Sequence, residues 1–122
     1  MDSKNITNLL LKLNRLTVDG ELKWECSGSP SSISVYRDVY IPRYFQAKYK
    51  EQIIAVYEER YQDYAPELDQ VYHSGRICLA FLNHNNQLIW EYSENSRALG
   101  DLFDSIIEKS AGIDDIINNL LS

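Results

Sequence analysis

The segment Arg43-Tyr44-Phe45-Gln46-Ala47-Lys48-Tyr49-Lys50-Glu51-Gln52-Ile53-Ile54-Ala55-Val56-Tyr57-Glu58 decides the architecture of this chain. Aromatic and β-branched residues flank Lys50-Glu51 on both sides, which is the composition of strands. A two-residue turn there joins residues 39–49 to 52–62 as a hairpin. That turn sets Ala47 opposite Ile54, Phe45 opposite Val56 and Arg43 opposite Glu58 on one face, the last as a structural ion pair. The other face sets Tyr44 opposite Tyr57 and Tyr40 opposite Tyr61, so four tyrosines stand together. Pro42 cannot donate to a ladder, which predicts an edge position or a bulge there.

Downstream, Ala65-Pro66-Glu67-Leu68-Asp69 reads as a connection. A second hairpin is predicted to pair about 71–82 with 87–92 across Asn83-His84-Asn85-Asn86, residues that tolerate left-handed turns. Its register is expected to place Phe81 opposite Leu88, Leu79 opposite Trp90 and Ile77 opposite Tyr92, with Ala80 facing Ile89 and Cys78 facing Glu91 behind them. Upstream, Leu22-Lys23-Trp24-Glu25-Cys26 alternates as a short strand, preceded by a break at Val18-Asp19-Gly20-Glu21. The segment Ser27-Gly28-Ser29-Pro30-Ser31-Ser32 has the composition of a loop.

Three amphipathic helices complete the pattern. Ile6, Leu9, Leu10 and Leu13 recur at helical spacing between about Ser3 and Leu16. Leu99, Leu102, Phe103, Ile106 and Ile107 form a second stripe, begun near a cap at Asn95 or Ser96 and stopped near Gly112. Ile113, Ile116, Ile117, Leu120 and Leu121 form a third, with Asp114 and Asp115 suited to the first turn. The expected fold is α+β: one antiparallel five-stranded sheet with an N-terminal helix and two C-terminal helices packed on one face, in a single domain spanning 1–122.

Leucine-rich helix followed by Gly20-Glu21-Leu22-Lys23-Trp24-Glu25, then Tyr57-Glu58-Glu59-Arg60-Tyr61, Ala98-Leu99-Gly100-Asp101-Leu102-Phe103-Asp104 and Gly112-Ile113-Asp114-Asp115-Ile116-Ile117, resembles a group of small uncharacterised bacterial proteins. The resemblance spans most of the chain and implies a bacterial cytoplasmic protein, without supplying an activity.

Composition narrows the function classes. Eighteen acidic residues against twelve basic ones give a formal charge of −6, and the basic residues are scattered, so a nucleic-acid partner is not expected. The longest apolar run, Ile77-Cys78-Leu79-Ala80-Phe81-Leu82, is far short of the ~20 residues of a membrane span, so no membrane role is expected. Two cysteines, with no secretory apolar region ahead of them, fit a cytoplasmic location. Cys26, His73, Cys78 and His84 match no closed zinc spacing, and the glycines are too scattered for a phosphate loop, so neither metal nor cofactor is expected. Glu58 and Glu59 point to opposite faces of a strand and make no acid and base pair, and no catalytic residue is assigned.

What remains is the tyrosine face. Tyrosine suits contact surfaces because it buries a large ring and keeps a wet hydroxyl. Tyr40, Tyr44, Tyr57 and Tyr61 are therefore the expected partner-binding residues of a non-catalytic interaction module, an accessory or immunity-type factor that binds a protein partner or forms a homodimer. The alternatives are a face covered by the loop at 27–38, or a small enzyme or small-molecule-binding protein with a pocket between that loop and the sheet, converging on Glu59, Arg60 or His73.

Overall fold

The structure is a computed structural model that describes residues 3–34 and 39–122. Val35 to Asp38, the end of the expected 27–38 loop, lie outside the described residues. The chain runs α1 (Ser3–Val18), β1 (Glu25–Cys26), α2 (Ser31–Ser34), β2 (Tyr40–Tyr49), β3 (Gln52–Ala65), β4 (Gln70–Leu82), β5 (Leu88–Tyr92), α3 (Arg97–Ala111) and α4 (Ile113–Leu121). The strands form one antiparallel sheet in sequence order, as expected for the α+β pattern.

The β2–β3 hairpin closes in the expected register, with Arg43, Tyr44, Phe45 and Ala47 opposite Glu58, Tyr57, Val56 and Ile54. Lys50 and Glu51 both take positive φ, 50° and 67°, the two-residue turn whose twist matches that of the strands it joins. Residues 65–70 also close a hairpin: β3 and β4 pair without interruption from Ile53 with Leu82 to Ala65 with Gln70.

Two registers depart from expectation. The ladder shifts between Tyr40 and Arg43, around Pro42, and Tyr40 pairs with Arg60 instead of Tyr61. One extra residue reverses the alternation of a strand, so Tyr40 moves to the face opposite Tyr44. In the last hairpin Phe81 pairs with Trp90 and Leu79 with Tyr92, two residues further along than expected, and Ala80 faces Glu91. The cause is the turn. Asn83 Oδ1 accepts the backbone N–H groups of Asn85 and Gln87 at 2.9 and 3.0 Å, which draws Gln87 into the loop. A further irregularity between Phe81 and Leu82 pairs Leu82 with Leu88.

The first face carries the larger core. Leu10, Leu13 and Leu16 of α1 and Leu99, Leu102, Phe103 and Ile106 of α3 bury against Phe45, Ala47, Ile54, Val56 and Leu79. Leu22 and Trp24 join this face as expected, although the strand there shortens to Glu25–Cys26. Trp24 Nε1 donates to Thr17 Oγ1 at 3.0 Å, and Trp90 stacks between Phe81 and Tyr92 at 4.9 and 6.1 Å. Ser96 caps α3 through the Leu99 N–H, and Gly112 ends it at φ 64°, where an L side chain would be strained. A single residue therefore separates α3 from α4.

The second face is also covered. Ile33 of α2 is buried against Tyr44, Ala55, Tyr57, Cys78, Ala80 and Leu82. The segment crosses this face as a strap: Ser27 N–H donates to the Tyr44 carbonyl at 3.1 Å, and Ser32 Oγ donates to the Asn86 carbonyl at 2.7 Å.

Candidate functional site

The four expected tyrosines do not make one surface. Tyr44 and Tyr57 stack with ring centroids 5.7 Å apart and are fully buried beneath Ile33. Tyr61 is half-buried, with the Arg76 guanidinium 5.7 Å from its ring centre. Tyr40, 65% exposed, lies on the other side of the sheet because of the bulge at Pro42. The strap fills the space that an open tyrosine face would have offered a partner.

Arg43 does face Glu58 across the ladder, yet the ion pair recorded for Glu58 is with Arg60, at 3.5 Å. Regular pairing ends at Arg43, which remains exposed, whereas Arg60 lies two residues from Glu58 along one strand and on the same side.

Beneath and beside the strap, strand alternation gathers a polar cluster that sequence reading missed. Glu59 is fully buried, and Arg76, its cross-strand neighbour, contacts its Oε1 through Nη2 at 2.6 Å and Nε at 2.8 Å. The Tyr57 hydroxyl donates to Glu91 Oε2, and the Tyr44 hydroxyl donates to Gln46 Oε1 at 2.8 Å. Ligand atoms of Glu59, Cys78 and Glu91 lie within 4.8 Å of one another. The signal was present in Ala65-Pro66-Glu67-Leu68-Asp69: read as a hairpin turn, it sets Arg76 opposite Glu59 and Cys78 opposite Tyr57.

Electrostatics follow from this packing. Desolvation pulls the Arg76 guanidinium down, but its hydrogen bond to Glu59 and the nearby charges of Glu59, Cys78 and Glu91 outweigh that and raise its pKa. Burial pushes the Tyr44 hydroxyl well above its ordinary value. Two carboxylates and a thiol are a donor set that can hold a divalent cation. Here, however, Arg76 neutralises Glu59, Tyr57 satisfies Glu91, and none of the three donors lacks a partner. The arrangement is a satisfied polar network inside a sheet face, chemically suited to fixing the strap side of the protein.

A groove of about 490 Å³ runs past Glu21, Lys23, Glu25, Gln46 and Lys48, where the two charge signs alternate and favour neither anion nor cation.

The apolar side of α4 is different in kind. None of its residues is buried, and Ile116, Ile117, Leu120 and Leu121 are 48, 48, 80 and 80% exposed. An amphipathic helix normally buries its stripe against a partner. Among the described residues no helix is long and apolar enough to cross a membrane.

No family model matches this chain, and neither the curated proteins nor the solved structures yield a match.

Proposed function

We propose that this protein is a non-catalytic interaction module, an accessory factor that binds a protein partner or a second copy of itself, and that α4 is its contact element. The observation supporting this reading is the α4 stripe, four large aliphatic side chains on one helical face, Ile116 and Ile117 about half exposed and Leu120 and Leu121 largely so among the described residues. The expected tyrosine surface is replaced by this helix because Tyr44 and Tyr57 are spent on the core. The test is paired: wild type and an Ile117→Glu, Leu120→Glu variant serve as bait side by side, with self-association measured on each. The variant is expected to keep the stability of the wild type within about 0.5 kcal/mol, as exposed positions do, and to lose the retained protein. Equal recovery and equal mass for both baits overturn the reading.

The alternative, a small-molecule or catalytic pocket between the sheet and the 27–38 segment, has one observation in its favour, the convergence of Glu59, Cys78 and Glu91. Its mark is access. Cys26 is exposed and Cys78 buried, so thiol reagents are expected to modify Cys26 quickly and Cys78 only on unfolding. Fast modification of Cys78 in the native protein would favour the pocket.

A further inference from the structure

Resting on the interaction reading, we propose that the occupant of the α4 stripe is a second copy of this chain, seated with its α1 against α4 in a reciprocal dimer. Charge distribution is the first argument. In a chain of net charge −6, α1 carries Lys4, Lys12 and Arg15 and no acidic residue, whereas α4 carries Asp114 and Asp115 and no basic residue. Two α4 helices offer each other no basic residue; α4 against α1 brings acid to base.

Apolar matching is the second. Leu11 and Val18 of α1 are 56 and 51% exposed, and with Arg15 between them they occupy the helix face turned away from Leu10, Leu13 and Thr17. That outward stripe spans about 10 Å from Leu11 to Val18, at ~1.5 Å per residue, and α4 spans about 9 Å from Asp115 to Leu121. Laid antiparallel with their apolar stripes facing, the two helices put Asp114, on the flank of the α4 stripe, beside Arg15, Leu120 and Leu121 toward Leu11, and their dipoles in opposition. Among the described residues, Arg15, Asp114 and Asp115 have no ion-pair partner of their own.

The same contact within one chain is barred by the connection. The inner face of α1 packs on α3, and only Gly112 separates α3 from α4. One residue cannot carry α4 around a helix about 10 Å thick to its far side. Exchange between two copies makes each contact twice about a two-fold axis and closes the assembly.

The experiment uses charge-swapped variants of the full chain, checked for folding by circular dichroism and weighed by light scattering over a concentration series. Arg15→Asp alone, and Asp114→Lys alone, are each expected to weaken the dimer roughly tenfold or more, because the two-fold repeats the altered pair. Mixed together they are expected to recover the dimer, since each variant's α4 then meets an α1 of opposite charge. Wild type that stays monomeric throughout, or a dimer that both swaps leave intact, overturns the proposal. A monomeric wild type that still retains another protein, lost with Ile117→Glu and Leu120→Glu, would refute the second copy while leaving the interaction reading standing.

Discussion

Phe45, Val56 and Leu79 face a dry core under two long helices, whereas Tyr44, Tyr57 and Cys78, one residue away on the same strands, face a four-residue helix and a buried carboxylate network. Both faces exclude water, by different means. The helix face is closed by area, so its strength is spread over many aliphatic contacts. Among the described residues, the strap face is closed by Ile33 and by polar groups that must each stay matched. Coverage by area fails by opening a cavity; coverage by matched charge fails by stranding a polar group.

The strongest way to break the comparison is to remove one side chain from each lid. Leu102→Ala, in the fully buried centre of α3, is expected to cost about 4 kcal/mol in denaturant unfolding. Ile33→Ala is expected to cost about 2 kcal/mol, because the short strap can settle, and to speed native modification of Cys78 while Leu102→Ala does so only in step with unfolding. Equal rates of Cys78 modification at equal stability would show that the faces open together.

Next in size is Arg76→Ala, which leaves Glu59 buried without its cation. Breaking a fully buried pair costs about 3–5 kcal/mol, and with 41% of the Arg76 side chain exposed the expected loss is about 2 kcal/mol. Glu59→Gln in the Arg76→Ala background should recover part of it, since a neutral amide needs no counter-charge. No recovery would assign the loss to packing of the arginine stem.

The smallest effect is alkaline. A hydroxyl whose folded pKa is raised above the unfolded value favours the folded state fully below that unfolded value, near 10, and loses this contribution as pH climbs toward the folded one. Stability measured by urea unfolding is therefore expected to fall above about pH 10, and Tyr44→Phe to soften that fall. An unchanged alkaline slope in Tyr44→Phe would place the titration on other groups.

How much of this was legible in the sequence differs between the same two faces. The residues buried on the helix face were legible, because Leu10, Leu13, Leu102 and Ile106 repeat at helical spacing and Lys50-Glu51 fixes the β2–β3 register beneath them, while the pairing of Leu79 and Phe81 with β5 on that face was two residues off. On the strap face, alternation correctly grouped Tyr44, Tyr57 and Tyr61, but periodicity says nothing about what lies above a strand. Ser31–Ser34 looked like loop because a single apolar residue, Ile33, makes no pattern. The bulge at Pro42 and the Asn83 turn each shifted a register through local hydrogen bonding that composition does not encode. The exposed stripe of α4 was visible as a stripe, and only the fold showed that none of its residues is buried.

Both tryptophans belong to the helix side of the sheet, Trp24 anchored on Thr17 and Trp90 between Phe81 and Tyr92. Tryptophan emission, excited apart from tyrosine, is thus a one-sided reporter: it follows the aliphatic core and not the strap lifting from the other face. A melt recorded in that channel alone would look two-state whether or not Ile33 had already come away, and a probe on the Cys78 side is what would separate the two events.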